Sequence, residues 1–249
     1  EAVTLETHEG RRLTAALLIG ADGAKSRTRD LAGFDVRTWS YHQHAIVATV
    51  RLVEDHQKTC YQAFLDTGPL ALLPLSDPRL CSIVWSLDDY QWEPLQSLDD
   101  DAFLAQLNLA LASNGLTVEA IGRRGVFPLR QCHAVDYVQQ GVALIGDAAH
   151  SIHPLAGQGI NLGIKDVAVL SEELGRAWQQ GTALGSELTL RRYQRRRKTD
   201  NLLMMSAMEA FKRGFGSTHP AIRVARNMGL SWVDAATPFK NWLARQALT

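Results

Sequence analysis

From Val142 to Asp166 the chain reads Val-Ala-Leu-Ile-Gly-Asp-Ala-Ala-His-Ser-Ile-His-Pro-Leu-Ala-Gly-Gln-Gly-Ile-Asn-Leu-Gly-Ile-Lys-Asp, its richest stretch of chemistry. A short apolar strand ends at Gly146, where a bare Cα lets backbone approach a neighbour closely. Asp147 then stands at the C-terminal end of that strand, a usual place for ligand contacts in α/β folds. Its carboxylate can accept hydrogen bonds from a polyol; capping the following turn is the plainer alternative. Pro154 stiffens the loop. Gly157 and Gly159 bare the backbone just before a helix, whose free N–H groups and dipole stabilise an anionic group. The segment therefore describes a hydroxyl-bearing ligand with a negative charge nearby.

A second candidate is Gly20-Ala21-Asp22-Gly23-Ala24-Lys25-Ser26-Arg27-Thr28-Arg29. Alone, Asp22-Gly23 is an ordinary turn pair. Ser26 is placed to cap a short helix over about 26–32. His150 and His153, three residues apart, suggest a metal, but no third ligand is evident and Pro154 opposes a regular helix there. No metal site is expected. His42 and His44 share one face of a predicted strand, exposed to solvent or forming a wall of a substrate site.

These residues need elements to hold them. Val3–His8 alternates weakly, Glu9-Gly10 reads as a turn, and Leu13–Ile19 has strand character. His44–Val53, Lys58–Leu65, Leu70–Leu75 and Arg79–Leu87 follow at short intervals, with turns at Asp66-Thr67-Gly68-Pro69 and Ser76-Asp77-Pro78. Loops this short join antiparallel strands. Helical spacing appears over Leu98–Ala112, and Val126–Leu129 and Gly141–Ile145 read as strands. Helices are predicted over Gly159–Gln179, Leu188–Lys212, Pro220–Trp232 and Phe239–Ala247. The order describes an α/β (α+β) plan.

Composition excludes several classes. The chain has 249 residues, 46% of them hydrophobic and 21% charged, which rules out wholesale disorder. With 26 basic and 26 acidic side chains it has no global field for nucleic acid. No apolar run reaches the ~18–20 residues of a membrane span. Cys60, Cys81 and Cys132 are far apart and read as core thiols in a reducing compartment. The run Arg191–Lys198 is a solvated helix face paired with Glu187, or, in the sharper reading, a contact with anionic lipid. Met204, Met205, Met208, Phe211 and Phe215 form an apolar stripe for packing. The chain opens Glu1-Ala2-Val3 and its first methionine is Met204, so a piece of a longer protein is expected.

Taken together, Gly146-Asp147-Ala148-Ala149-His150, Pro154 and Gly157-Gln158-Gly159-Ile160-Asn161 resemble the second flavin motif of the single-component FAD-dependent aromatic hydroxylases. Gly20 to Arg29 resembles their Asp-Gly motif. The two stand in family order, separated by a β-rich stretch of the expected size. The wording from His150 to Gly163, with Pro74-Leu-Ser-Asp-Pro78 and Cys81-Ser-Ile-Val-Trp85, is close to the ubiquinone-biosynthesis branch. The resemblance covers essentially the whole chain.

The resemblance implies a partial FAD-binding domain of the glutathione-reductase-like, para-hydroxybenzoate-hydroxylase type over residues 1–36 and 126–180. It implies an inserted antiparallel β-sheet substrate domain over 37–125 and C-terminal helices over 181–249. Gly146 and Asp147 would meet the ribityl chain of FAD. Gly157, Gln158, Gly159, Ile160 and Asn161 would face the pyrimidine side of the ring. Pro154, with His153 beside it, would border the space where flavin meets substrate. Asp22 and Gly23 would support the diphosphate and ribityl region and engage NAD(P)H, with Arg29 assisting.

The implied activity is NAD(P)H- and O₂-dependent hydroxylation of a prenylated phenol or quinol. The setting is cytoplasmic, in contact with the membrane or with other subunits of a ubiquinone-synthesis complex. The family's Gly-x-Gly-x-x-Gly fingerprint is absent. Gly157-x-Gly159 does not replace it, because Leu162 occupies the third position and Gly163 comes one residue late. The isolated chain is therefore expected to bind FAD poorly and not to hydroxylate. Two competing readings are another FAD-dependent oxidoreductase of the superfamily and a non-catalytic binding or assembly module.

Overall fold

The fold is described from a computed structural model, which covers residues 2–151, 159–216 and 228. Residues 1–205 form one compact unit, and residues 206–249 form a second. The elements in chain order are Val3–Glu6 (β1), Arg12–Ala15 (β2), Leu18–Gly20 (β3), Arg27–Leu31 (α1), Val36–Leu52 (β4), Tyr61–Leu65 (β5), Gly68–Pro74 (β6) and Leu80–Asp88 (β7). Asp89–Ser97 (α2), Asp100–Leu111 (α3), Val118–Ile121 (β8), Gly125–Ala134 (β9), Val138–Gln139 (β10), Val142–Leu144 (β11), His150–Ser151 (β12), Gly159–Gln179 (α4) and Glu187–Gly216 (α5) follow. The predicted helices Pro220–Trp232 and Phe239–Ala247 lie outside the described residues. No helix among the described residues is long and apolar enough to cross a membrane.

The large sheet is antiparallel throughout and has seven strands, in the order β12-β9-β4-β7-β6-β5 with β8 also on β4. Alternate residues point to one face, so Ile46, Val50, Leu70, Leu72, Ile83, Trp85 and Leu87 are buried together there. Against them α3 lays Phe103, Leu107 and Leu111, spaced at four residues along one helical stripe. Each such side chain contributes about 1.5–3 kcal/mol on burial. Asp99 starts α3 by accepting Ala102 N–H at 2.8 Å.

Helix α2 is absent from the sequence prediction, because Pro94 lies inside it and it buries no residue completely. Strand β4 begins eight residues before the predicted His44, since its first part is exposed and polar. Its register jumps between Ser40 and Gln43, leaving Tyr41 and His42 unopposed. His42 takes φ +51 in that bulge and is 82% exposed. Asp89 stands 3.6 Å from its ring and 2.9 Å from that of His44.

The small sheet, ordered β10-β11-β3, holds the one parallel pair among the described residues, β11 beside β3. The apolar run Leu13–Ile19 is two strands, broken at Ala16-Leu17 where the chain leaves the hairpin β1–β2. Gly185 permits that exit, since a Cβ there would meet Ala16 O at 2.2 Å. Helix α5 is pinned to this sheet by Tyr193, whose hydroxyl donates to Leu144 O at 2.8 Å. Gln194 holds it further by accepting Tyr137 N–H at 2.7 Å.

The basic run is mainly a clamp between helices. Arg191 pairs with Glu187, Arg196 with Glu172 and Glu173 on α4, and Arg197 with Asp166 and Asp200. Lys198 donates to Val135 O. Only Arg192 and Arg195 of the run make no ion pair among the described residues. Met205 is buried, while the side chains of Met208, Phe211 and Phe215 lie outside the described residues. Cys81 and Cys132 are buried thiols, but Cys60, expected in the core, is exposed just ahead of β5.

Candidate functional site

The parallel pair sets the two motifs side by side. Leu144 stands opposite Gly20, and Ile145 N–H donates to Gly20 O at 3.0 Å. Ala21-Asp22-Gly23 therefore leaves β3 next to Ile145-Gly146-Asp147 leaving β11, both at the C-terminal edge where α/β sheets bind ligands. Gly20 leaves room for its neighbours, since a Cβ there would lie 2.8 Å from Leu144 Cδ2 and 3.0 Å from Thr28 Cγ2 and would push those side chains aside.

In the first turn Asp22 shapes its own loop. Ser26 Oγ donates to its carboxylate at 2.5 Å, Thr28 N–H at 2.9 Å and Thr28 Oγ1 at 3.1 Å. Partial burial opposes the charge, but these donors outweigh it and hold the carboxyl down at about 2. Ser26 caps α1 as predicted, accepting Arg29 N–H at 3.0 Å.

Arg29, expected to assist at the cofactor, lies in the interior with its side chain 7% exposed. Its guanidinium donates to Ala24 O and to Ala148 O, each at 3.2 Å, and stands 3.7 Å from Cys132 Sγ. It ties the first turn to the second. Burial pushes the Cys132 thiol up despite this cation.

The second turn is a 3₁₀ segment, Gly146–Ala148, with Gly146 at φ +56. Helix α4 packs directly on it, because a Cβ on Gly163 would lie 3.3 Å from Gly146 Cα. The glycine that falls one residue late for a dinucleotide fingerprint thus has a packing role of its own. A cleft of about 430 Å³ opens between the turns and α4, lined by Ala21, Gly23, Ile145, Gly146, Asp147, Gly159, Ile160, Gly163, Ile164 and Val167. Ile160, Ile164 and Val167 recur on one face of α4 and are 73%, 60% and 47% exposed. Asp147 is exposed and makes no hydrogen bond among the described residues, so its carboxylate is available where that of Asp22 is occupied. Asn161 is exposed in the first turn of α4. His153, Pro154, Gly157 and Gln158 lie outside the described residues.

Beneath the turn is a polar cluster that the sequence reading missed. Asp166, fully buried on α4, accepts Gly146 N–H at 3.0 Å and His150 Nε2 at 2.6 Å on one oxygen. On the other it accepts Arg197 Nε at 2.8 Å and Asn201 Nδ2 at 3.3 Å. An ionised carboxylate offers about four acceptor positions, and all are filled by donors, which assigns the hydrogen to His150 Nε2. Burial opposes the Asp166 charge, but the contacts from His150, Arg197 and Gly146 hold its carboxyl below the usual range.

His150, considered above as a metal ligand, is 1% exposed and belongs to this structural cluster. Asn201 also reaches Tyr137 Oη at 3.4 Å, and that hydroxyl meets His133 Nε2 at 3.1 Å. Burial, with His150, Lys198 and Arg37 nearby, lowers the His133 imidazole to about 4, so it stays neutral. The signal for the cluster lay in α4. Its buried positions are Leu162, Asp166, Leu170, Glu173 and Ala177, and an acid on a buried helical face requires a cation.

Two parallel strands delivering paired turns to a helix start, with a large antiparallel sheet inserted between them, define the para-hydroxybenzoate-hydroxylase-type fold of FAD-dependent aromatic hydroxylases. p-Nitrophenol 4-monooxygenase PnpA from Pseudomonas putida DLL-E4 shares it, with a TM-score of 0.74 at 18% identity over 99% of this chain and 63% of that one. Residues 1–205 match the model of the FAD binding domain family, and the chain belongs to that family. The 3-demethoxyubiquinol 3-hydroxylase of Escherichia coli K12 is 40% identical over 98% of this chain and 62% of that protein. The mitochondrial ubiquinone biosynthesis monooxygenase COQ6 of Xenopus tropicalis is 38% identical over 96% of this chain and 58% of that protein. The chain thus spans about three-fifths of the length of these relatives.

Proposed function

We propose that the chain supplies flavin-holding turns and the substrate-facing sheet of an FAD-dependent monooxygenase that hydroxylates an aromatic ring of a ubiquinone precursor with NAD(P)H and O₂. The observation that carries this reading is the side-by-side placement of the two turns, with the start of α4 closing the cleft between them. The residues present suit FAD. Asp147 offers ribityl hydroxyls a carboxylate that makes no hydrogen bond among the described residues, and the first N–H groups of α4 favour negative charge on the flavin. Gly23 and Gly146 let backbone come close, while Ile160, Ile164 and Val167 give the ring an apolar wall. Asp22 and Arg29 hold the turns in shape. When bound, FAD supplies the redox and oxygen chemistry, and the protein's work is to orient the partners and exclude water.

The substrate is assigned to the sheet face away from α2 and α3, where Phe64, Leu73 and Phe127 are 49%, 40% and 58% exposed. Such a face suits a prenylated phenol or quinol. The division at residues 37–125 is retained in this reading, with β9 joining the sheet through its pairing with β4. Contact with anionic lipid would fall to Arg192 and Arg195.

The test is a chimera in which this chain replaces the matched segment of the Escherichia coli relative. It is expected to retain FAD and to hydroxylate a demethoxyubiquinol, and Asp147→Ala should weaken FAD binding about tenfold or more. A folded chimera without FAD, or one indifferent to Asp147→Ala, refutes the reading.

A further inference from the structure

We propose that Asp166 is a positioning residue for the cofactor turn, holding Gly146 and His150 in place so that Asp147 faces the cleft; this rests on the flavin reading above. Asp147 stands one residue beyond a peptide whose N–H ends on Asp166 Oδ2. Three residues past Asp147, His150 ends on the same oxygen. The turn that presents Asp147 is therefore anchored at both ends by one carboxylate atom. The second oxygen is held by Arg197 and Asn201 of α5, so the anchor is fixed in turn by a helix whose described residues line no part of the cleft. Arg197 is clamped by Asn201 Oδ1 at 2.7 Å and Asp200 at 3.0 Å.

Gly146 needs such an anchor. It sits at positive φ, where glycine has wide freedom, and among the described residues its only neighbour on that side is the bare Cα of Gly163. Packing alone gives the turn little resistance to rotation. The carboxylate provides it through two donors converging on one oxygen. Asparagine at 166 would keep the size but present an N–H₂ group to donors on one side, so the cluster would lose at least two bonds. The expected effect is loosening of the turn and of the short edge strand β12 that follows it, while β7 and α3, which make no hydrogen bond to Asp166, are unchanged.

Amide hydrogen exchange on the full 249-residue chain tests this. In Asp166→Asn, peptides covering 142–151 should exchange about tenfold faster, while those of β7 and α3 keep their rates. Asp200→Asn, which removes only the exposed partner of Arg197, should leave 142–151 unchanged. Wild-type rates at 142–151 in Asp166→Asn, or equal acceleration everywhere as from a merely structural ion pair, overturn the proposal. If Asp166→Asn does not fold, Arg197→Gln gives the same readout with a smaller, still local acceleration, and unchanged or global rates there overturn it too. In the chimera, Asp166→Asn should also weaken FAD binding about tenfold, and a loosened turn with unaltered FAD affinity overturns the link to the cofactor. A wild-type chimera that folds without FAD counts against the monooxygenase reading, while the exchange rates still decide whether Asp166 holds the turn.

Discussion

Replacing Arg29 with methionine separates two roles for the first motif. A cation that met the cofactor could be removed with no effect on the stability of the ligand-free protein. A brace could not. Arg29 donates to the carbonyls of Ala24 and Ala148, both at 3.2 Å, from a side chain that is 7% exposed. Hydrogen bonds from a charged donor are each worth about 1.5–3 kcal/mol, and relief of guanidinium burial returns part of that. The contact with Asp30, 68% exposed, adds little. A net loss of roughly 3 kcal/mol is expected, which for a chain of this size lowers the melting temperature by roughly 6–12 °C. Arg27→Met, two residues away and exposed, should melt within about 1 °C of wild type. Thermal unfolding of the ligand-free chain, followed by circular dichroism, measures both. If Arg29→Met melts with wild type, the brace is wrong and Arg29 returns to the list of cofactor ligands.

Other outcomes follow from the same geometry. His133 titrates near 4 when folded and near 6.5 when unfolded, so the unfolded chain takes up the proton first as pH falls. Stability should decline by about 3 kcal/mol from pH 6.5 to 4 and the decline then cease, and His133→Gln should flatten that part of a denaturant-midpoint profile. Asp22 acts lower: its contribution, fully present above 3.8, should be lost as pH falls from there through about 2, and Asp22→Asn should remove that step. Gly146→Ala should lose about 1–2 kcal/mol in denaturant unfolding from the positive φ alone. Gly185→Ala drives a Cβ to 2.2 Å from Ala16 O and should lose about 3 kcal/mol or yield no soluble protein.

Regular periodicity made some of this fold readable from sequence. Helix α4 has the bounds predicted for it, because its apolar positions recur at helical spacing from a glycine onward. The hairpins β5–β6 and β6–β7 followed from the turns read at Asp66-Thr67-Gly68-Pro69 and Ser76-Asp77-Pro78, the first of which is made by Asp66-Thr67 with Gly68 and Pro69 opening β6. Helix α2 was hidden by Pro94, β8 by its four-residue length, and the start of β4 by exposed polar residues. At the site, motif wording identified the turns, but residue types alone do not show which side chains turn inward. Arg29 and Asp22 therefore read as ligand contacts, with no sign in the sequence of the bonds each makes within the protein. Asp166 went unnoticed for the opposite reason: its partners Arg197 and Asn201 lie on the next helix, 31 and 35 residues on, the first inside and the second just past a run that reads as a solvated basic face.

Strand β11 belongs to the small sheet and β12 to the large one, and only the residues from Ile145 to Ala149 separate them. That stretch works as a fixed-length ruler between the two sheets. Strand pairing admits only whole-residue steps, and a step of one turns every side chain to the opposite face. One residue added to the ruler would either carry His150 away from Asp166 or unpair it from His133. The hairpin turn at Asp66-Thr67 has no such double duty and can lengthen freely. Divergence in this lineage should therefore accumulate as length changes at hairpin tips, while the spacing between Leu144 and His150 admits substitution but neither insertion nor deletion.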